Sequence, residues 1–312
     1  RTAIEQLSVF DPNALPAEEA SALRRYLDDL SVKVHHIEQD GDSASASVII
    51  SGTNAEALAR DIRRIRTEES MRNALFPDQT AEPTDSFVLM NRLLQEQHYD
   101  HIEKEGLIHL TNENGKWIVR QDPALRSLLL GGLPEYLEDP DLLSPEEITA
   151  IYLGLFRKLT TEEWASYLGC NDIFATYASS SDEIDTAYLK KIAECYDFTI
   201  DHVLTAEDSA EVHADITNID MHQVFQNYRD KLIAYALTVD SVKDDSAALS
   251  ARNAQALTEA IRETSDTAVF PVMIHLKRDD SAWNITDTPG LADAQMGGMS
   301  DAVRIFSEEA AE

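Results

Sequence analysis

Basic residues are scarce in this chain of 312 residues, which has 26 Lys and Arg against 57 Asp and Glu and a formal net charge of −31. Proteins that bind nucleic acids or anionic membranes gain affinity from lysines and arginines that neutralise phosphates. We therefore expect no nucleic-acid partner. Solubility explains a charge of this sign, and a basic partner or a cation is the alternative explanation.

Long apolar runs are also missing. No stretch approaches the roughly 20 apolar residues that are needed to span a bilayer. Arg1 is not an initiator methionine, so we expect that an upstream segment has been removed. Any membrane attachment is expected only through an N-terminal anchor outside this sequence.

The usual sequence signatures of catalysis are absent as well. The chain has no H-E-x-x-H, no paired C-x-x-C and no G-x-S-x-G, and its two Gly-Gly pairs follow predicted helices, whereas phosphate-binding glycines precede them. Its acidic clusters lack the alternating ligands and the turn glycine of a calcium loop. We expect no cofactor and no metal ion.

An internal repeat is the main feature that the chain does contain. The segment at 107–133, LIHLTNENGKWIVRQDPALRSLLLGGL, recurs at 273–299 as MIHLKRDDSAWNITDTPGLADAQMGGM. Matched residues lie 166 positions apart, as Ile108 does from Ile274, and the same spacing pairs His36 with His202 without a gap. Solenoid repeats are about 20 to 50 residues long, so this period predicts two domains with separate cores.

The repeat sets the expected domain boundaries. We predict a first domain at 1–133, an acidic, proline-containing linker at 134–144 and a second domain at 145–312. Ser144 and Glu147 form a capping box that opens a helix over 145–159. The counterpart of this helix would lie before residue 1, so the first domain is expected to lack its opening helix.

Hydrophobic periodicity predicts the same elements in each domain, namely helices, a hairpin, further helices and a second hairpin. Each domain is therefore expected to be α+β, with helices covering one face of an antiparallel sheet of about four strands. Helices are predicted at 17–30, 54–71, 85–98 and 123–130 in the first copy, and at 145–159, 161–168, 182–196, 220–239 and 247–264 in the second.

Alternation along the strands predicts which side chains share a face. Val32, Val34 and His36 are expected on the apolar face of the first sheet, and Phe198, Ile200 and His202 on that of the second. The Asn114-Gly115 turn is typical of a type I′ hairpin, with Leu110 opposite Val119 and Glu113 opposite Lys116. This register places Trp117 on the apolar face and His109 on the other.

Four residues are candidates for a ligand site. His36 and His202 would be half-buried imidazoles that titrate near neutral pH, although core histidines satisfied by backbone groups are the simpler interpretation. Trp117 and Trp283 would line a cavity, although packing in the core beneath helices is favoured for both. His109 and His275 also recur, but they are expected on the outer surface.

Both cysteines, Cys170 and Cys195, lie in the second copy, where the first copy has Ile4 and Asp29. A metal or redox site common to both domains is therefore not expected. One disulfide in an oxidising compartment and two independent thiols remain the alternatives, and two thiols are favoured.

Each copy has a strand, G-K-W-x-V in the first and S-A-W-N-I in the second, that is followed by a short helix and Gly-Gly. Together with the element order, these features resemble the nuclear transport factor 2-like or cystatin-like superfamily. They are most similar to domains of extracytoplasmic lipoproteins from Gram-positive bacteria. The resemblance implies helices around a curved sheet, an export signal and a lipid anchor. It also implies a cell-surface location and no assigned activity, but the chain has no lipobox cysteine at its start.

Three functional hypotheses follow. The first is a non-enzymatic binding or scaffolding module that takes a small molecule, a peptide or an envelope component in the cone of a domain. The second is an isomerase, dehydratase or hydrolase that uses His36, His202 or a nearby carboxylate as general base. The third is a structural spacer at the cell surface.

Overall fold

The computed structural model describes residues 16–169, 182–280 and 282–309, and these residues form two compact units. The first consists mainly of residues up to Leu143 and the second mainly of residues from Ser144 onward, with Met71–Thr80 grouped with the second. Each unit contains one antiparallel four-stranded sheet together with helices. The predicted α+β class with two repeated domains is confirmed.

The first unit follows the predicted order of elements. Its elements are α1 (Ala17–Asp28), β1 (Ser31–Asp40), β2 (Ser43–Thr53), α2 (Ala55–Leu75), α3 (Ser86–Glu96), β3 (His101–Glu113), β4 (Lys116–Val119), α4 (Pro123–Leu129) and α5 (Leu133–Glu138).

The second unit begins with two additional helices and then follows the same order. Its elements are α6 (Pro145–Phe156), α7 (Thr161–Leu168), α8 (Asp182–Cys195), β5 (Asp197–Ala206), β6 (Ser209–Ile219), α9 (Met221–Ala236), α10 (Ser246–Glu263), β7 (Thr267–Arg278), β8 (Trp283–Asp287), α11 (Leu291–Gln295) and α12 (Met299–Glu309). Both ends of β5 lie 166 positions after those of β1, and both ends of β6 lie 166 positions after those of β2.

Both sheets are meanders, in which every strand pairs with its neighbours along the chain. The predicted pairs Leu110 with Val119 and Glu113 with Lys116 are confirmed. Asn114 has a φ of 53° and Gly115 one of 82°, as a type I′ turn requires.

The core of the first unit has two parts. Helices α1, α2 and α3 bury one apolar cluster among themselves, around Leu58, Ile62 and Leu89. A smaller cluster lies on the inner face of the sheet, where Val48 and Ile50 pack with leucines of α4. The inner face of β2 is thus covered by α4.

The Gly-Gly pairs perform the same structural role in both units. All four glycines have positive φ. A Cβ on Gly132 would lie 3.2 Å from Nζ of Lys104, and one on Gly298 would lie 2.6 Å from the ring of Phe270, the residue 166 positions after Lys104. Glycine lets the turn after the short helix pass directly over the third strand of each sheet.

The segment after α4 differs from the sequence analysis. Residues 134–144 were predicted to be a linker, but α5 occupies Leu133–Glu138. Gly132, with a φ of 82°, is the residue directly before this helix. The predicted capping box at Ser144 and Glu147 is confirmed, and a second one between Thr160 and Glu163 opens α7.

Candidate functional site

The inner face of the first sheet is the clearest candidate site, because its apolar side chains are uncovered along both edge strands. Val32, Val34 and Ile37 on β1 are 46%, 57% and 62% exposed, and Trp117 on β4 is 40% exposed. Val32, Val34 and Ile37 are opposite buried residues of β2, and Trp117 is opposite Asn112 on β3, so all four side chains belong to the inner face.

The equivalent face of the second sheet is covered by a helix. Helix α6 packs against β5, β6 and β8. Phe198, Ile200 and Val203, the counterparts of the three exposed β1 residues, are all half-buried, and Trp283 is only 5% exposed. Arg157, which follows α6, lies over the ring of Phe198 with 4.1 Å between its guanidinium carbon and the ring centroid.

The prediction that both tryptophans pack in the core is therefore confirmed for Trp283 only. Trp283 is a core residue, as expected, and its ring lies 5.9 Å from the guanidinium carbon of Arg278. Trp117 has the predicted register opposite Asn112, but it is not a core residue, because no helix of the described part covers β4 as α6 covers β8.

The placement of His36 and His202 on the apolar faces is wrong. A β-bulge shifts the register between Val34 and His36, and another shifts it between Ile200 and His202. The extra residue reverses the alternation, so both imidazoles point to the outer faces of their sheets. His36 pairs there with Glu38, with 3.4 Å between Nε2 and Oε1.

His202 belongs instead to an exposed cluster on the outer face of the second sheet. Its ring stacks on that of His213 at a centroid distance of 4.1 Å, and its Nδ1 lies 2.7 Å from Oδ2 of Asp201. In the first sheet His36 is opposite Ser47, so this stack has no counterpart. Within the described ranges no three His, Cys, Asp or Glu side chains are placed to hold a metal ion.

His109 and His275 lie on the outer faces, as predicted. Nδ1 of His275 is 3.9 Å from Oε1 of Glu211 on the neighbouring strand. The backbone N–H of Arg120 donates to the carbonyl of His109 at 2.7 Å, which extends the second hairpin by one bond. These histidines contribute to the surfaces of the sheets and not to a cavity.

The interior of the second unit contains a polar aromatic cluster that the sequence analysis missed. Tyr167 donates to Oε1 of Gln295 at 2.9 Å, and Tyr196 donates to the carbonyl of Leu153 at 3.1 Å. Burial raises the pKa of both tyrosines above the ordinary value. Trp164 stacks edge-on to both rings at 6.1 and 5.5 Å.

The cluster also holds two buried donors, Nε1 of Trp164 and Nε2 of Gln295, that lack an acceptor within the described residues. The aromatic spacing on α6 and α7, with Tyr152 and Phe156 four residues apart and Trp164 and Tyr167 three apart, was the available sequence signal. The rings pack against one another, so this region is a filled core.

One small cavity lies at the end of the inner face of the first sheet. Its volume is about 10 Å³, and its walls include Tyr26, Lys104 and Gly131. Nζ of Lys104 donates to the carbonyl of Gly131 at 2.5 Å, and the Tyr26 hydroxyl donates to that of Leu130 at 2.8 Å. A space of this size accommodates at most a water molecule.

Burial raises the pKa of the half-buried Cys195 thiol. Cys170 lies outside the described residues, so the choice between a disulfide and two thiols stays a prediction. None of the described helices has the length and apolar character that a bilayer crossing requires.

Comparisons with known proteins give little further information. No family model matches the chain, and no curated protein matches it. The chain is similar to a Bacillus subtilis protein of known structure, provisionally named a lipoprotein, with 13% sequence identity over 88% of this chain and 96% of the other. The TM-score of that superposition is 0.28, so no argument about this chain rests on it.

Proposed function

We propose that this protein is a non-enzymatic binding or scaffolding module that acts outside the cytoplasm, and that it binds through the inner face of its first sheet. The supporting observation is the exposure of Val32, Val34, Ile37 and Trp117 on that face. Val32, Val34 and Ile37 lie together on β1, and Trp117 lies on the opposite edge strand, β4. Exposed apolar side chains that lie together usually mark a site of interaction, because leaving them in water is unfavourable.

The geometry favours a macromolecular ligand over a small molecule. Pre-formed small-molecule sites are concave and have volumes of about 300 Å³ or more. The cavity beside Lys104 measures about 10 Å³. An open sheet face suits a peptide, a protein or another extended component of the cell envelope.

The enzymatic alternative assigned the role of general base to His36 or His202, and the positions of both residues argue against that role. A general base must lie within hydrogen-bond reach of a bound substrate. His36 and His202 lie on the outer faces, with side chains that are 65% and 49% exposed, so neither can act inside a cone. This placement favours the non-enzymatic function.

The extracytoplasmic location rests on the family resemblance of the sequence. It is tested by expressing the natural gene in its own host and treating intact cells with protease. A protein at the outer surface is degraded while a cytoplasmic marker survives, and survival of both would contradict the proposed location.

Binding through the inner face is tested with an apolar fluorescent dye on the full chain. Val34→Asp places a charge on that face, whereas Leu107→Asp, at a position 54% exposed on the outer face of the same sheet, is the matched control. We expect dye fluorescence to fall in the Val34 variant only. Equal fluorescence in both variants would show that the inner face is not the apolar binding surface.

A further inference from the structure

The outer face of the second sheet carries a row of three side chains that can bind a metal ion, one from each of three neighbouring strands. His202 on β5 is directly opposite His213 on β6, and His213 is directly opposite Met273 on β7. Directly opposite residues of antiparallel strands share a face and have Cβ atoms about 4.5 to 5.5 Å apart. Two imidazoles and a thioether therefore lie side by side.

The bulge in β5 brings the two imidazoles together. It shifts the register between Ile200 and His202, so that His202 meets His213 on the outer face. The rings stack with 4.1 Å between centroids and an interplanar angle of 13°. Metal–imidazole bonds are about 2.0 to 2.1 Å long, so two nitrogens on one ion lie at most about 4 Å apart. Small rotations of these side chains are enough to direct both rings to one ion.

A carboxylate already orients one of the imidazoles. Nδ1 of His202 lies 2.7 Å from Oδ2 of Asp201. This hydrogen bond places the imidazole proton on Nδ1 and leaves the lone pair of Nε2 for a metal ion. Histidines that bind metals commonly donate their other ring N–H to a carboxylate in this way, which fixes the ring and raises its basicity.

The charge around the row favours a cation. Glu211 and Asp215 lie two positions before and after His213 on β6, and strand residues two positions apart share a face. The whole chain has a net charge of −31, which draws cations towards its surface.

We propose that His202, His213 and Met273 bind one copper ion on the outer face of the second sheet. Among divalent first-row ions, copper binds a given set of nitrogen and sulfur ligands most tightly, and a thioether suits Cu⁺ in particular. Calcium and magnesium take oxygen ligands instead. The third ligand is a thioether, so the site does not need a third His, Cys, Asp or Glu side chain.

The first sheet provides an internal comparison. Its row at the same positions consists of His36, Ser47 and Leu107, each 166 residues before its counterpart. This row has one imidazole, no second imidazole opposite it and no thioether. The site is therefore expected in the second unit and not in the first, which agrees with the absence of a metal site common to both copies.

Titration of the full chain with Cu²⁺ and, under reducing conditions, with Cu⁺ tests the proposal, with a chromophoric chelator as competitor. We expect one tightly bound ion per chain. Asp201→Ala should weaken binding about tenfold or more, and His213→Ser, which copies the first sheet, should weaken it at least as much. Met273→Leu should weaken binding of Cu⁺ more than that of Cu²⁺, because sulfur is the softer ligand.

His36→Ser is the matched control, since it removes an exposed histidine from the equivalent position of the first sheet, and it should leave binding unchanged. His202→Asn is a second test of the row, and far-ultraviolet circular dichroism confirms that each variant is folded. Weak binding of several ions that neither His213→Ser nor His202→Asn reduces would mean adventitious binding only and would overturn the proposal. Equal losses in His213→Ser and His36→Ser would overturn it as well.

Discussion

Trp117 and Trp283 occupy equivalent positions 166 residues apart, yet one is 40% and the other 5% exposed. Replacing a buried aromatic residue by alanine removes its transfer free energy and leaves a cavity. We expect Trp283→Ala to lower the free energy of unfolding by about 3 to 5 kcal/mol. Trp117→Ala should cost less than half as much, because much of its ring is already in water.

Urea denaturation of both variants, followed by circular dichroism, measures the two losses. Each tryptophan variant serves as the control for the other, since the two residues are of the same type and occupy equivalent positions in β4 and β8. Equal losses would mean that Trp117 is covered in solution, which would also remove the basis for binding through the inner face of the first sheet.

At the scale of single residues, the sequence predicted the faces of the strands correctly except where a bulge intervened. His109 and His275 lie on the outer faces as expected, whereas His36 and His202 do not lie on the inner ones. A bulge depends on how two strands fit together, and no residue in either strand signals it reliably. Period-two alternation alone cannot detect it.

The start of α6 is fixed by a local element that can be tested on its own. The Ser144 side chain accepts from the backbone N–H of Glu147, and the Glu147 carboxylate accepts from the backbone N–H of Ser144 at 3.0 Å. Ser144→Ala leaves a helical N–H without this acceptor, and we expect a loss of about 1 kcal/mol in stability. The same denaturation experiment measures it.

Ser166→Ala is the control for the capping variant, because Ser166 is an exposed residue inside α7 where alanine is a better helix former. That variant should be as stable as the parent or slightly more so. If the two variants have the same free energy of unfolding, the capping box contributes nothing to the stability of the second unit.

At the scale of elements, helices with clear caps and periodicity were placed to within a few residues, and α7 was predicted at its observed bounds. Helix α5 was missed because Pro134 and the acidic residues after it are typical of a linker. It forms because Leu133 is buried in the helical core of the first unit, so tertiary packing outweighs local composition there.

The whole molecule should lose stability at alkaline pH. Burial raises the pKa of Tyr26, Tyr167 and Tyr196. The unfolded chain releases these protons near pH ~10 while the folded chain retains them. The stabilisation is therefore fully present below pH ~10 and is lost as pH rises above it.

Urea denaturation across this alkaline range measures the loss, and Tyr196→Phe isolates one contribution. Phenylalanine has no proton to release, so the variant should show a shallower fall in stability than the parent. A fall of equal slope in both proteins would contradict the assignment of Tyr196 as a neutral, buried hydroxyl.

The sequence by itself determined the α+β class, the two copies of one unit, the strand register at the Asn114-Gly115 turn and most helix ends. These features depend on local periodicity, capping and turn chemistry, which neighbouring residues encode directly. Only the tertiary structure decided which sheet face is covered. That outcome depends on whether a helix distant in the chain packs there, as α6 does on the second sheet and no described helix does on the exposed edge strands of the first.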